Sequence, residues 1–188
     1  MISKFDIESL KQRLNPTGSV QGSDKSKEPV AAVAIIINIH RDSDSILLMR
    51  RQDRVGDPWS GQIAFPGGHK SPSDRTLLET AFREASEEVG IELRRHVALG
   101  VLPLMYSQTR RVLVAPFVFQ LNSDVAVRLN DEVAESFWTP LEELSKIRST
   151  RSEVHVEAGT LDVDSYVLDG RVIWGLTFRI IRSLLNRS

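Results

Sequence analysis

Residues 67–91 read GGHKSPSDRTLLETAFREASEEVGI and carry the clearest helix signal in the chain. Thr76 followed by Glu79 forms a T-x-x-E capping box, which begins helices because both side chains bond to otherwise unpaired backbone N–H groups. Gly90 tolerates the left-handed conformation in which many helices end. The stretch therefore predicts a helix over residues 76–89.

Three glutamates in the second half of this helix carry its chemical information. At about 100° per residue, Glu84 and Glu88 lie one turn apart beside an apolar stripe, and Glu88 lies almost on it. Arg83 and Glu87 lie on the opposite side at salt-bridge spacing. The apolar stripe, which we expect to pack on a sheet, consists of Leu78, Ala81, Ala85 and Val89.

Carboxylates at the edge of a core are unfavourable unless a positive charge compensates them, because burial removes their hydration and neighbouring carboxylates repel each other. A hard divalent cation meets both requirements, since Mg²⁺ takes oxygen ligands from one or two carboxylates and from substrate phosphates. The alternative is a solvated acidic helix face with salt bridges one turn apart, the usual meaning of paired glutamates. Helix geometry alone leaves both interpretations open.

The wider pattern resembles the Nudix box, G-x5-E-x7-R-E-U-x-E-E-x-G-U, in which U is an aliphatic residue. Asp74 stands where the family usually has Glu, and one extra residue separates it from Arg83. The resemblance implies a mixed α/β (α+β) fold. In this Nudix-type α/β/α sandwich, layers of helices enclose a mixed β-sheet. The matching positions are Gly68, Arg83, Glu84, Ala85, Glu87, Glu88, Gly90 and Ile91.

The resemblance also implies roles for these residues. Glu84 and Glu88 match the metal ligands of the family, with the Gly68 carbonyl and Glu87 as further candidates, and the implied cofactor is Mg²⁺ or Mn²⁺. For Asp74, a helix cap or turn and a position beside the metal remain alternatives. Structural roles are expected for Arg83, Gly67, Gly90 and Asp74.

The reaction that the family carries out also needs a group that takes a proton from the attacking water. The candidates are Glu84, Glu87 and Glu132. Glu132 precedes the segment VAESFWTPLEEL, and a Glu six residues before such a Trp approaches the metal or the water in several Nudix branches. Asp131 and Glu135 are rivals, and a solvated acidic loop is the alternative.

The preceding segment at 47–68, LLMRRQDRVGDPWSGQIAFPGG, partly resembles the signature of the coenzyme A pyrophosphatase branch, LLTxR[SA]x3Rx3Gx3FPGG. Met49 replaces Thr, Gln52 replaces Ser or Ala, and the second Arg is out of register, with Arg54 as its candidate replacement. The segment IWGLT at 173–177 is also similar to that branch. The matching positions are Leu47, Leu48, Arg51, Gly61, Phe65, Pro66, Gly67 and Gly68.

Basic and aromatic side chains in and around this segment are candidates for substrate binding. Lysine and arginine bind phosphates by charge, and arginine also by paired hydrogen bonds, while an aromatic ring can stack on a base. A solvated surface charge or ordinary packing is the alternative at each position. The candidates are Arg50, Arg51, Arg54, Lys70, Trp59 and Tyr106.

Outside the box, the hydrophobic periodicity predicts a mixed α+β chain and not a parallel βαβ array. We expect an N-terminal helix and flexible linker over residues 1–29, followed by a single Nudix hydrolase domain over residues 30–188. The predicted helices lie at 3–14, 76–89, 140–147 and 175–187, and the predicted strands at 30–39, 46–49, 62–65, 97–105, 112–120, 133–138, 153–157, 163–168 and 171–174.

Composition narrows the functional class. The chain has 188 residues, a net charge of −1 and no cysteine, which excludes thiolate metal sites and disfavours a general nucleic-acid binder. No apolar run is long enough for export or for crossing a membrane, so we expect a cytoplasmic protein. The expected partner is a small nucleotide-derived substrate, without membrane or nucleic acid, and a homodimer is retained as a candidate assembly.

These observations favour an enzyme that hydrolyses a pyrophosphate bond in a nucleoside diphosphate linked to another moiety, with a divalent metal ion. Coenzyme A or a derivative is the leading substrate. The first alternative is another nucleoside diphosphate derivative, such as ADP-ribose, a dinucleotide or a nucleotide sugar. The second is a ligand sensor that has the Nudix fold without catalysis, against which the three intact box glutamates argue.

Overall fold

The computed structural model describes residues 6–20, 29–39, 43–56, 60–108, 111–156 and 159–186. Within these ranges, no helix is long and apolar enough to span a membrane. The helices are α1 (Ile7–Arg13), α2 (Leu77–Val89), α3 (Leu141–Lys146) and α4 (Gly175–Leu184), with 3-10 turns at Thr17–Val20 and Leu93–Arg95. The strands are β1 (Ala31–Asn38), β2 (Ser45–Arg51), β3 (Ile63–Ala64), β4 (Gly67–His69), β5 (Val97–Val101), β6 (Met105–Ser107), β7 (Val112–Gln120), β8 (Val133–Pro140), β9 (Thr150–Val156), β10 (Gly159–Leu168) and β11 (Arg171–Trp174).

Strand β1 lies at the centre of a mixed sheet, as expected of a near-continuous apolar run that can be buried on both faces. It runs parallel to β7 and antiparallel to β2 and β4. The sheet order is β3-β2-β1-β7-β5, while β4 pairs with β1, β6 with β7 and β8 with β2. The predicted mixed sheet is confirmed.

Helices cover both faces of this sheet. Helix α2 packs on one face, where Ala85 and Ile36 belong to one buried cluster. Helices α1 and α4 pack on the other face, where Leu10, Ile35 and Ile181 belong to a second cluster. Adjacent residues of β1 therefore serve opposite layers, because successive side chains of a strand point to opposite faces. The predicted α/β/α arrangement is confirmed.

A smaller antiparallel sheet, ordered β11-β10-β9, packs beside the second layer. Tyr166 of β10 is buried against Phe178 of α4, with ring centroids 4.6 Å apart. Arg171 of β11 contacts β8, since its Nη2 donates to Glu135 at 3.0 Å and its guanidinium lies 4.4 Å from the centroid of Phe137. These contacts position the junction between β11 and α4 at the edge of the main sheet.

Three local features differ from the expectations based on sequence. The strand predicted over 97–105 is divided into β5 and β6, and Pro103 in the intervening turn lacks the N–H that a sheet ladder needs. The strand predicted over 62–65 spans only Ile63–Ala64 in the structure, and a second short strand, β4, follows it. At the start of α2 the buried leucine is Leu77, whereas Leu78 is only partly buried.

The N-terminal helix packs closely against the C-terminal helix. Leu10 of α1 is fully buried in the cluster that contains α4. Arg13 donates from Nη1 to the carbonyl of Ser183 at 3.1 Å and from Nη2 to that of Leu184 at 3.0 Å. These bonds satisfy carbonyls that the end of a helix leaves without intrahelical partners. Residues 21–28, which belong to the predicted linker, lie outside the described ranges.

The burial of Leu10 predicts that α1 contributes to the stability of the whole domain. Leu10→Ala should lower the free energy of unfolding by about 2–5 kcal/mol, because it leaves a cavity in the core. For a chain of this size that corresponds to a decrease in Tm of roughly 4–20 °C, measurable by calorimetry. Gln12→Ala, on the exposed side of the same helix, is the control and should leave Tm nearly unchanged. Equal Tm values for the wild type and Leu10→Ala would contradict the packing of α1.

Candidate active site

The ends of helix α2 are fixed by its own sequence. Thr76 is the N-cap, and its side chain accepts from the backbone N–H of Glu79 at 3.2 Å. The Glu79 carboxylate accepts from the N–H of Arg75 at 2.7 Å, one residue before the position that a full capping box would use. Gly90 ends the helix with φ 70°, a left-handed conformation that glycine adopts without steric cost. Both predicted helix signals are therefore present.

Glu88 is the most deeply buried carboxylate of the helix. Its residue is 3% exposed, and its Oε2 accepts from the backbone N–H of Gly67 at 2.8 Å. Burial, together with the negative charges of Glu84 and Glu132, raises the pKa of Glu88 to about 8, although the Gly67 hydrogen bond and the charge of Arg51 act in the opposite direction. The carboxylate thus lies in a place where its negative charge is poorly stabilised.

Glu84 lies one turn earlier, directly against strand β4. A Cβ atom at Gly68 would lie 2.4 Å from Glu84 Oε1, so a side chain at that position would collide with the carboxylate. Burial raises the pKa of Glu84, and the charge and hydrogen bond of Arg83, 2.8 Å away, oppose that rise. The carboxylates therefore lie close to the backbone of β4, and this compact cluster consists of Glu84, Glu88, Gly67 and Gly68.

Asp74 is buried and holds Arg83 in place. Its carboxylate accepts from the Nε and Nη2 groups of Arg83, from Ser71 N–H at 2.9 Å and from the Thr80 hydroxyl at 3.0 Å. The hydrogen bonds from Arg83 hold the pKa of Asp74 below its ordinary value, against the effect of burial. Asp74 does not cap the helix, since Thr76 does so. Its role in this structure is to position Arg83.

Arg83 uses its remaining donors on the helix and on β4. Nη1 lies 2.9 Å from Glu87 Oε2 and 2.8 Å from Glu84 Oε1, and Nη2 donates to the His69 carbonyl at 3.0 Å. The salt-bridge spacing of Arg83 and Glu87 inferred from the sequence is thus observed. The predicted metal ligand Glu87 is 55% exposed at its side chain and is engaged by Arg83 in this structure.

The oxygen groups at this site suit a hard divalent cation. Glu84 and Glu88 both have a raised pKa because of burial, which is unfavourable for two carboxylates unless a cation neutralises them. In the described parts of the chain, no group of three or more His, Asp or Glu side chains is arranged to hold a metal ion. A site with two carboxylates fits Mg²⁺, which keeps several waters and takes further oxygens from substrate phosphates.

Glu132 lies within electrostatic reach of the two buried glutamates. Its charge contributes to the raised pKa of both Glu84 and Glu88, and its own side chain is exposed. Its rival Glu135 is engaged elsewhere, because Arg171 and Arg50 bind its carboxylate and hold its pKa below the ordinary value. Of these two, Glu132 is the carboxylate in a position to act at the site.

The three candidate arginines of the segment before β4 differ in their position relative to the glutamates. Arg51 lines the same cavity as Gly67 and Gly68, and its charge lowers the pKa of Glu88. Arg54 donates to the carbonyl of Asp131 at 2.8 Å, next to Glu132 along the chain. Arg50 is held by Asp53 at 2.8 Å and by Glu135 at 3.3 Å. The structure therefore brings two of the three arginines towards the glutamates.

The remaining candidates for substrate binding lie apart from this group or outside the description. Lys70 lines a separate cleft of about 410 Å³ at the start of α2. Tyr106 is 48% exposed on β6, and its carbonyl accepts from Arg179 at 2.7 Å. Trp59 lies outside the described residues.

A cavity of about 80 Å³ connects the glycines of β4 with the junction between β11 and α4. Sequence reasoning did not assign site roles to the residues at this junction, although the IWGLT segment at 173–177 contains them. Thr177 anchors the junction, since its hydroxyl donates to the Ile63 carbonyl at 3.0 Å. The polar and aromatic residues that line the cavity with the glycines are Arg51, Gln62, Phe65, Ser107, Trp174 and Thr177.

The pairing of Asp74 with Arg83 predicts a pH-dependent contribution to stability. Asp74→Asn should lower the free energy of unfolding by about 1.5–3 kcal/mol at neutral pH, because a charged hydrogen-bonded partner of Arg83 is lost. Since the pKa of Asp74 is depressed in the folded state, its contribution is complete above the ordinary value of 3.8 and disappears as pH falls through the lower folded value. Urea unfolding of both proteins from neutral to acidic pH measures this difference.

Asp162→Asn is the matched control, because Asp162 pairs with Arg151 on the surface, with 59% of its side chain exposed. Its effect on stability should be small at every pH. A difference between wild type and Asp74→Asn that stays constant down to acidic pH would contradict the charged role of Asp74.

Comparison with known proteins agrees with this geometry. A model of the NUDIX domain matches residues 28–158. The chain is 40% identical over 159 residues to an uncharacterized Nudix hydrolase, NudL, of Yersinia pestis (strain Pestoides F), and the match covers 84% of this chain and 78% of that protein. The NudL protein of Yersinia pseudotuberculosis serotype O:1b (strain IP 31758) is similar to the same extent.

Solved structures share the fold. An Ap4A hydrolase of C. elegans, in a binary complex, has a TM-score of 0.51 and 22% identity, covering 63% of this chain and 84% of that chain. A MutT/nudix family protein of Enterococcus faecalis has a TM-score of 0.53 and 16% identity, covering 87% of this chain and 63% of that chain. Because the domain match spans most of the chain and the Yersinia relatives match along most of their length, this chain belongs to the Nudix family and is a hydrolase of the pyrophosphohydrolase class.

Proposed function

We propose that this Nudix hydrolase cleaves the pyrophosphate bond of coenzyme A or a derivative, giving phosphopantetheine and 3′,5′-ADP. The observation that carries the catalytic part is the position of buried Glu88 and partly buried Glu84, one turn apart, against the Gly67–Gly68 backbone. Two carboxylates are kept there although burial raises the pKa of both. Strongly perturbed carboxylates beside a cavity are typical of a catalytic centre.

Glu84 and Glu88, with the Gly68 carbonyl, are the groups that would hold the divalent cation, Mg²⁺ or Mn²⁺. When bound, such an ion lowers the pKa of a water molecule and neutralises charge on the phosphates. Arg83 keeps the helix and β4 in register through its bonds to Asp74 and to the His69 carbonyl. These contacts fix both ligands on one rigid element, as precise positioning requires.

For the proton transfer we favour Glu132 over Glu84 and Glu87. Glu132 is exposed and its charge acts on Glu84 and Glu88, so it can reach water at the site. The Glu87 carboxylate is already engaged by Arg83 at 2.9 Å. A carboxylate near the water is the group that general base catalysis needs.

Substrate specificity would come from the residues around β4. Arg51 and Arg54 supply charge for phosphates, and Trp174 offers an aromatic wall beside Gly67 and Gly68. The resemblance of residues 47–68 to the coenzyme A pyrophosphatase signature favours coenzyme A. The runner-up is another nucleoside diphosphate derivative, such as ADP-ribose, a dinucleotide or a nucleotide sugar.

A panel of diphosphates tests the assignment. The protein is incubated with coenzyme A, ADP-ribose, a dinucleotide and a nucleotide sugar, each with Mg²⁺ or with Mn²⁺, and the products are identified by mass. We expect phosphopantetheine and 3′,5′-ADP from coenzyme A at the highest kcat/KM. Faster cleavage of another diphosphate would identify that compound, and not coenzyme A, as the preferred substrate. If no compound is cleaved with either metal, the result would favour a ligand sensor.

Replacing the two buried glutamates should separate catalysis from stability. Glu84→Gln and Glu88→Gln should each lower kcat by about 10²–10³-fold, since each removes a charge at the reacting centre. Glu88→Gln should at the same time keep or raise Tm in metal-free buffer, because a neutral amide replaces a buried carboxylate. Glu79→Gln, on the same helix, is the control and should retain activity. Near-wild-type turnover in both variants would show that the glutamates of α2 take no part in the mechanism.

The two arginines provide a test of specificity. Arg51→Ala and Arg54→Ala should mainly raise KM and lower kcat/KM by about 10- to 100-fold, since a charged hydrogen bond contributes roughly 1.5–3 kcal/mol. The loss should be larger for coenzyme A, which carries a 3′-phosphate, than for a nucleotide sugar. Arg94→Ala, at a site where Arg94 covers Phe82, is the control. Equal losses for both substrates would mean that the arginines bind only the shared diphosphate.

A further inference from the structure

A second cleft, on the side of α1 and α4, is lined by three arginines. It has a volume of about 700 Å³, within the range of small-molecule sites, and lies between α1, the turn after β5 and one face of α4. No acidic residue occurs among the described residues that line it. We refer to it as the basic cleft, and its polar lining consists of Arg13, Arg179, Arg182, Ser183 and Asn186.

Neutral groups hold these three arginines in place. Arg13 donates to two carbonyls at the end of α4, at 3.1 and 3.0 Å. Arg179 donates from Nη2 to the carbonyl of Tyr106 at 2.7 Å. The guanidinium of Arg182 lies 5.6 Å from the centroid of the Phe178 ring. Each side chain is thus partly buried and oriented, while its positive charge is not neutralised by these contacts.

Five arginines elsewhere in the structure are compensated by carboxylates. Arg50, Arg83, Arg94, Arg151 and Arg171 each lie within 4.0 Å of a carboxylate. Among the described residues, no such ion pair involves an arginine of the basic cleft. Like charges that converge in a partly desolvated concave surface repel each other, and an anion bound between them relieves that repulsion.

The basic cleft is distinct from the candidate active site. Its residues on α4 are Arg179, Arg182 and Ser183, a spacing that places them on one face of the helix, and Asn186 follows shortly after the helix. Thr177 and Ile180, which line the cavity beside Gly67 and Gly68, lie on a different face. The described residues that line the two spaces have no member in common.

We propose that the basic cleft binds a small anion that carries two or more phosphate groups, at a site separate from the catalytic glutamates. The planar fork of a guanidinium matches phosphate oxygens with paired hydrogen bonds, and three positive charges suit a diphosphate. A single concave cleft favours a small ligand over nucleic acid, which needs an extended basic stripe. The net charge of the chain, −1, agrees with a local site for anions.

Calorimetric titration of the full chain with inorganic pyrophosphate tests this proposal. EDTA is present, so that no divalent ion draws the probe to Glu84 and Glu88. We expect saturable binding to one site, weakened by added salt because the interaction is ionic. Arg179→Gln and Arg182→Gln should each weaken binding by about tenfold or more. Arg94→Gln, whose parent side chain pairs with Glu79 on the other layer, should bind as the wild type does.

Further measurements make the outcome decisive. The Tm of each variant is compared with that of the wild type, and Arg182→Gln should keep its hydrolytic activity. Absence of saturable binding by the wild type would overturn the proposal. Unchanged affinity in both arginine variants would also overturn the proposal. Loss of pyrophosphate binding in Glu84→Gln would do the same. Binding of a single-stranded oligonucleotide without binding of pyrophosphate would also overturn it, and would favour a nucleic-acid surface.

Discussion

The close packing of the Gly67–Gly68 backbone between β1 and α2 is the constraint on which the site depends. A Cβ atom at Gly67 would lie 2.4 Å from the carbonyl oxygen of Ala32, and one at Gly68 would lie 2.4 Å from Glu84 Oε1. Only backbone without side chains can pass at these distances. That passage brings the Gly67 N–H to 2.8 Å from the Glu88 carboxylate. The strand therefore determines where the acidic face of the helix can lie.

This packing holds negative charge in a place that is unfavourable for it. Burial raises the pKa of Glu84 and Glu88, while Arg83 offsets part of the cost at Glu84. Arg83 is itself shared with Asp74 and Glu87, so one cation serves three acids. The remaining excess of negative charge explains in physical terms why a Nudix site suits a divalent metal, since such ions are often the largest local charge in a site.

Sequence patterns predicted the features that arise within one element. Helical spacing gave the limits of α2 to within one residue and the burial of Glu88, because both depend on local geometry. The partner of Arg83 was not predictable in this way, since Asp74 reaches it through a turn whose path depends on tertiary packing. The same holds for Trp174, which borders the Gly67–Gly68 backbone although about a hundred residues separate them in sequence. Spacing reports periodicity and contains no information on contacts between distant segments.

The contact between α1 and α4 has a consequence for the order in which the chain folds. The Arg13 side chain bonds to carbonyls 170 and 171 residues later, and Leu10 is buried in the cluster that α4 completes. During synthesis, the first helix emerges from the ribosome long before its partner exists. The sheet can form around β1 meanwhile, but its second face remains uncovered until residues 175–184 have been released. Closure of that layer is thus a late step in folding, because contacts between distant segments form only after the intervening chain is available.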